Sequence, residues 1–111
     1  MSLIDKKIKS NHQMKNFGNY IRELRKQEKW TLTKLAAMLD MDSANLCKIE
    51  NGKRSFDEKK LSKLCSIFQL DFDKMKNELL SEKFAQKAYS EDLDVKVFKL
   101  AEQKIKYLKK Q

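Results

Sequence analysis

Residues 31–54, TLTKLAAMLDMDSANLCKIENGKR, carry two apolar stripes at helical spacing with a single break between them. Leu32, Leu35, Ala36 and Leu39 fall on one side of a helix, because residues three and four apart meet on a helical turn. Thr31 precedes this run, where its hydroxyl caps an orphan backbone amide. The stripe breaks at Asp40-Met41-Asp42. Asp42 is placed to cap a second short helix, in which Leu46 and Ile49 point inward together. Asn51-Gly52 then closes that helix with residues that tolerate left-handed geometry.

Two short helices joined by a tight turn make a helix-turn-helix unit. The second helix adds a chemical argument. Apart from Leu46 and Ile49 it shows small or hydrogen-bonding side chains: Ser43, Ala44, Asn45, Cys47 and Lys48. Such a face suits the DNA major groove, where base edges call for donors and acceptors. A polar surface helix in a small bundle is the competing reading of the same pattern.

Composition agrees with a helical chain. The 111 residues contain no proline and two glycines, too few for a fold built on many tight turns. The length suits one domain, or one domain with an extension. The formal charge is +9, from 25 basic and 16 acidic residues, which points to a polyanionic partner such as nucleic acid. Cys47 and Cys65 fit no metal spacing and suit a reducing cytoplasm. His12 is the sole histidine, so a metal site or a serine–histidine triad has little to build on. No signal peptide and no membrane-length apolar run is legible. No glycine-rich phosphate loop and no nucleophile beside a base is found, so neither an enzyme nor a cofactor is expected.

The run L-A-x-x-L, a turn, then L-x-K-I-E-N-G-K-R resembles the core of the phage repressor and Cro family, also called the XRE family. Leu35-Ala36, Ile49-Glu50-Asn51-Gly52 and Lys53-Arg54 carry the resemblance, which covers residues 17–70. It implies an all-α fold: a five-helix repressor/Cro-like domain with an additional C-terminal helix. It also implies base contacts from Ser43, Ala44 and Lys48, with Asn45 beside them. Lys48 suits guanine O6 or N7, Asn45 an adenine or a phosphate, and Ala44 a thymine methyl. Asn51, Lys53 and Arg54 follow the helix and are expected to hold phosphates, as is the helix start at Thr31. In this family an arginine late in the first helix pairs with the glutamate ending the second motif helix; the matching residues are Arg25 and Glu50. Three positions depart from the family pattern. Asp40 stands in for a turn glycine, Leu32 for a glutamine, and Phe56 for a proline.

The chain divides into a basic arm over 1–13, the helix-turn-helix domain over 14–70 and a helical extension over 71–111. The arm reads either as a frayed terminus or as a strand of lysines reaching for DNA. A first helix over 15–29 buries Phe17, Tyr20, Ile21 and Leu24. Trp30 packs at its end, a duplex offering no free base face to stack on. A fourth helix begins after Asp57 and presents Lys59, Lys60 and Lys63 either to solvent or along the DNA backbone, and Phe56 packs on the third. A fifth, capped by Asp71 or Asp73, runs to Tyr89. Ser90-Glu91-Asp92 reads as the cap of a final helix over 93–109.

Phe84, Val97, Leu100, Ala101, Ile105 and Leu108 exceed what a core ending at Leu70 needs, and predict a dimer interface. A two-fold dimer sets two recognition helices about 34 Å apart, one turn of DNA. The expected function is therefore a cytoplasmic, sequence-specific double-stranded DNA-binding transcription regulator, acting as a homodimer on a palindromic operator. Its C-terminal text is similar to regulators of restriction-modification systems. Two other classes stay open: an antitoxin whose C-terminal helices hold a toxin, and a protein-interaction module that binds no DNA.

Overall fold

The computed structural model describes residues 16–111; the basic arm expected over 1–13 lies outside them. The described residues form six α-helices and one short 3-10 turn, with no strand. They are α1 (Phe17–Gln27), α2 (Leu32–Met38), α3 (Ser43–Glu50), α4 (Leu61–Phe68), α5 (Phe72–Ser90) and α6 (Lys96–Lys109), with the 3-10 turn Glu58–Lys60 leading into α4.

Side-chain oxygens start most of these helices. Asn16 accepts from the Asn19 amide (2.6 Å), Thr31 from Lys34 (3.1 Å) and Asp42 from Ala44 (2.9 Å). Asp57 caps the 3-10 turn (3.0 Å) and Asp71 caps α5 (3.3 Å).

The helix ends share a different device. Lys29, Asp40, Gly52, Gln69 and Asp92 each take a positive φ, between 52° and 77°, one or two residues after the end of a helix. The residue that follows sends its amide back to a carbonyl five positions earlier: Trp30 to Arg25, Met41 to Ala36, Lys53 to Lys48, Leu70 to Cys65 and Leu93 to Ala88. This is the Schellman closure, usually made with glycine. Here only Gly52 supplies one. The other sites carry side chains in a conformation that costs an L-residue about 1–2 kcal/mol.

That device moves two boundaries away from the sequence expectation. The first helix stops at Gln27, because Lys29 turns the chain. Ser90 does not cap the last helix. Its hydroxyl donates to the Lys87 carbonyl (2.9 Å), so it belongs to the final turn of α5. The helix α6 starts at Lys96 instead, with the Asp94 carboxylate accepting the Lys96 amide (2.9 Å).

One apolar core joins α1 to the first half of α5. Ile21, Leu24, Leu35, Leu39, Leu46, Leu61 and Leu64 are fully buried in it, and Trp30, Met41 and Leu70 pack at its edge. Phe56 is buried against Phe17, with ring centroids 5.6 Å apart, so it anchors to α1. Trp30 lies 5.5 Å from the Phe68 ring, and the Lys34 ammonium sits 5.2 Å from its indole. The core does not close at Leu70: Met75 and Leu79 are buried in it too. Further along α5, the Glu82 carboxylate accepts the Phe17 amide at 3.0 Å and ties this helix to the start of α1.

Gly18 marks the tightest helix contact. A Cβ there would lie 1.8 Å from the Ile49 carbonyl oxygen, inside backbone that cannot yield easily. In a free helix Gly→Ala stabilises by about 1 kcal/mol. Here Gly18→Ala is expected to have the opposite sign, with a loss of about 1–3 kcal/mol or more from overpacking. Urea denaturation of the two proteins measures it; a stabilised variant would show that α1 and α3 do not touch at this point.

Candidate nucleic-acid interface

The helix α3 is held from inside by Leu46 and Ile49, and at its end by an ion pair. Glu50 is 5% exposed, a carboxylate that must be paired to stay charged there. Arg25 provides the partner in a two-pronged fork, with Nε to Oε2 at 2.8 Å and Nη2 to Oε1 at 3.0 Å. The remaining prong, Nη1, donates to the Trp30 carbonyl at 2.8 Å. The hydrogen bond to Glu50 raises the Arg25 pKa above its ordinary value, so the guanidinium is never lost near neutrality. One side chain thus ties α1 to the end of α3 and to the entry of α2.

The turn between α2 and α3 is clamped as well. Asp40 takes φ 53° where a glycine is usual. The Lys60 ammonium donates to the carbonyls of Leu39 (3.1 Å) and Asp40 (3.0 Å). Lys63 pairs with the Asp40 carboxylate, and that bond lowers the Asp40 pKa. Of the three lysines expected on a solvated face or along the DNA backbone, Lys59 alone has no such role here. Lys60 and Lys63 brace the turn that aims α3.

The outer side of α3 is open. Ala44, Lys48 and Asn51 are exposed and follow one another at steps of four and three, which aligns them along the helix. Ser43, Asn45 and Cys47 flank them, half-exposed. Beyond the helix Lys53 is exposed, and the Arg54 guanidinium donates to Asn45 Oδ1 at 2.6 Å. Asn51 Nδ2 donates to Cys47 Sγ at 3.5 Å. At the start of α2 the Thr31 oxygen accepts its cap bond, which leaves the O–H to donate outward. The sequence-predicted contacts therefore lie on α3, on the loop after it and at the neighbouring start of α2. They present mostly donors and cations.

The expected dimer residues are divided. Phe84, Ala101 and Ile105 line a hollow of about 460 Å³ with Phe98, whose ring lies 5.5 Å from that of Phe84. Val97, Leu100 and Leu108 do not line it; they are 41%, 55% and 65% exposed on α6, and Phe84 and Ile105 are similarly exposed, at 56% and 52%. Among the described residues no helix is long and apolar enough to cross a membrane.

Sequence reasoning did not single out Gly18, Lys60, Lys63 or Glu82 for their roles. A lone glycine inside a helical run is a signal for close packing, and Gly18 carried it. Glu82 carried none, since its partner lies 65 positions away.

A family model described as helix-turn-helix matches residues 21–75. Through these residues the chain belongs to the helix-turn-helix family of the phage repressor and Cro type. The match runs past Leu70 to Met75, which is buried in the same core. An uncharacterized HTH-type transcriptional regulator, RghRB of Bacillus subtilis (strain 168), is 35% identical over 63 residues. That alignment takes in 56% of this chain but only 45% of the relative, so it spans less than half of that protein. Among solved structures, a chain of a SinR protein/SinI protein complex aligns with a TM-score of 0.48 at 21% identity, over 85% of this chain and 98% of that one.

The helix-turn-helix domain should depend on its ion pair. Breaking a buried pair leaves one charge without a partner, so Arg25→Ala is expected to cost about 3–5 kcal/mol. Arg25→Lys keeps the charge but loses the fork, and should recover only part of that. Urea unfolding followed by circular dichroism measures both. Equal stability of Arg25→Lys and the parent protein would mean that charge alone holds α3.

Proposed function

We propose that this chain is a sequence-specific DNA-binding transcription regulator that works in the cytoplasm as a homodimer on a two-fold symmetric operator. The observation that carries the reading is the contrast between the two sides of α3. Its inner side is locked by Leu46, Ile49 and the Arg25–Glu50 fork, while its outer side offers Ala44, Lys48 and Asn51 to solvent. A rigid helix with a small, donor-bearing outer face fits a major groove. The net charge of +9 supplies attraction to the phosphates.

In this reading Ser43, Ala44 and Lys48 meet base edges with Asn45 beside them, Thr31, Asn51 and Lys53 meet phosphates, and Arg54 adds its positive charge from the loop after α3. The exposed apolar side chains of α5 and α6 supply the contact between two copies. Two recognition helices on one two-fold axis would then read half-sites about one or more helical turns apart.

The reading is tested by selecting binding sites from a random duplex library near physiological salt. A two-fold symmetric site is the expected outcome; no enrichment would remove specific DNA binding. On a selected site Lys48→Ala should cost about 1–3 kcal/mol at one base pair and relax preference there. Lys53→Ala should weaken all duplexes alike and flatten the salt slope by about 1 per monomer. Fluorescence anisotropy separates the two, and an unchanged slope would take Lys53 out of the interface. Ile105→Glu places a charge in the proposed contact between copies. Sedimentation equilibrium should then find a monomer with weakened operator binding, and a dimer that persists would move the interface elsewhere.

A further inference from the structure

We propose that Asn45 and Arg54 act as one donor-only reading unit that selects guanine, so that Asn45 is a positioning residue for Arg54 and not an adenine reader. This rests on the DNA-binding reading above. An arginine has donors and no acceptor. The atom of Asn45 that faces the Arg54 guanidinium at 2.6 Å is therefore its carbonyl oxygen, and its amide nitrogen faces elsewhere. An asparagine that reads adenine uses both ends at once, the oxygen taking the N6 amino hydrogens and the nitrogen meeting N7. Here a guanidinium is seated on that oxygen, with its positive charge against the place where adenine's amino hydrogens would come. The same charge attracts the O6 and N7 acceptors of guanine.

Position supports a base contact over a phosphate contact. Arg54 stands outside α3, on the loop after it, where an unrestrained arginine would meet the backbone of the duplex. Asn45 lies on α3, flanking the exposed line of Ala44 and Lys48. The bond draws the guanidinium from the loop toward the helix that meets base edges. It is charge-assisted and fixes direction, which a two-pronged contact to guanine requires and a phosphate contact does not. Asn45 is half-exposed and Arg54 exposed, so both remain accessible to a duplex.

The test uses the full chain as the parent protein and as N45A, R54A, the double variant and N45D. Each is titrated against the selected site, against single base-pair changes and against duplexes in which one guanine is replaced by 7-deazaguanine. The parent protein should lose about ten-fold in affinity at one 7-deazaguanine per half-site. R54A should be indifferent to that replacement, N45A should lose most of the preference, and the double variant should match R54A. N45D keeps a seat for Arg54 but has no amide donor, so its guanine preference should persist. If N45A instead changes an adenine position and adds to R54A, or if N45D loses the guanine preference as N45A does, Asn45 reads on its own and the proposal falls. If both single variants weaken every duplex equally and lower the salt slope, the unit holds phosphate and the proposal falls. A parent protein that selects no site overturns the DNA-binding reading itself, and this inference with it.

Discussion

The buried fork between Arg25 and Glu50 is the interaction on which the placement of α3 depends. A carboxylate at the end of α3 with 5% exposure is tolerable only with its lone pairs filled. Arg25 fills them with two parallel bonds and spends a further donor on the Trp30 carbonyl. Three helices are thereby referred to one guanidinium plane. Gly18 completes the arrangement, because α1 meets the Ile49 carbonyl where no side chain would fit. With the inner side of α3 committed to these contacts, its outer side is presented in a single orientation.

Helix ends are the second constraint. A chain without proline must stop its helices by other means, and this one repeatedly turns left-handed after the last helical turn. At Asp40 the strained turn is backed by Lys60 on the carbonyls and Lys63 on the carboxylate. The backing comes from the 3-10 turn and α4, so the angle between α2 and α3 depends on residues about twenty positions later. The long α5 works similarly. Its first half belongs to the core through Met75 and Leu79, and Glu82 holds the first amide of α1. Its second half, with α6, carries the exposed apolar side chains. The helix-turn-helix unit and the extension are thus joined by one continuous helix, with no linker between them.

Much of this was legible from local pattern, and the reasons can be named. The stripes of Leu35, Leu39, Leu46 and Ile49 follow the helical period, and Thr31, Asp42, Asp57 and Asp71 cap because their oxygens reach their own backbone. The Arg25–Glu50 partnership was available only through the resemblance to the repressor and Cro family, since nothing in the spacing of the two residues requires it. The end of α1 at Gln27 was not legible, because Lys29 is no more suited to a left-handed turn than its neighbours. Ser90 misled for a related reason: its hydroxyl serves equally as a cap for the next helix or as a bond back to the present one.

The sequence by itself determined an all-helical chain, the two motif helices and the side chains that α3 offers. Those follow from periodicity, from capping groups and from the absence of proline, all of which act within a few residues. Tertiary structure alone decided that three further charged groups are structural. Lys60, Lys63 and Glu82 look like ordinary solvated side chains in one dimension, and become turn clamps and a helix cap only when distant backbone is brought within hydrogen-bond reach. It also decided that Asn45 and Arg54 meet, nine positions apart and on either side of a helix end. The physical reason is the same in each case. A hydrogen bond depends on distance and direction in space, and the chain sets these only after its apolar core has closed.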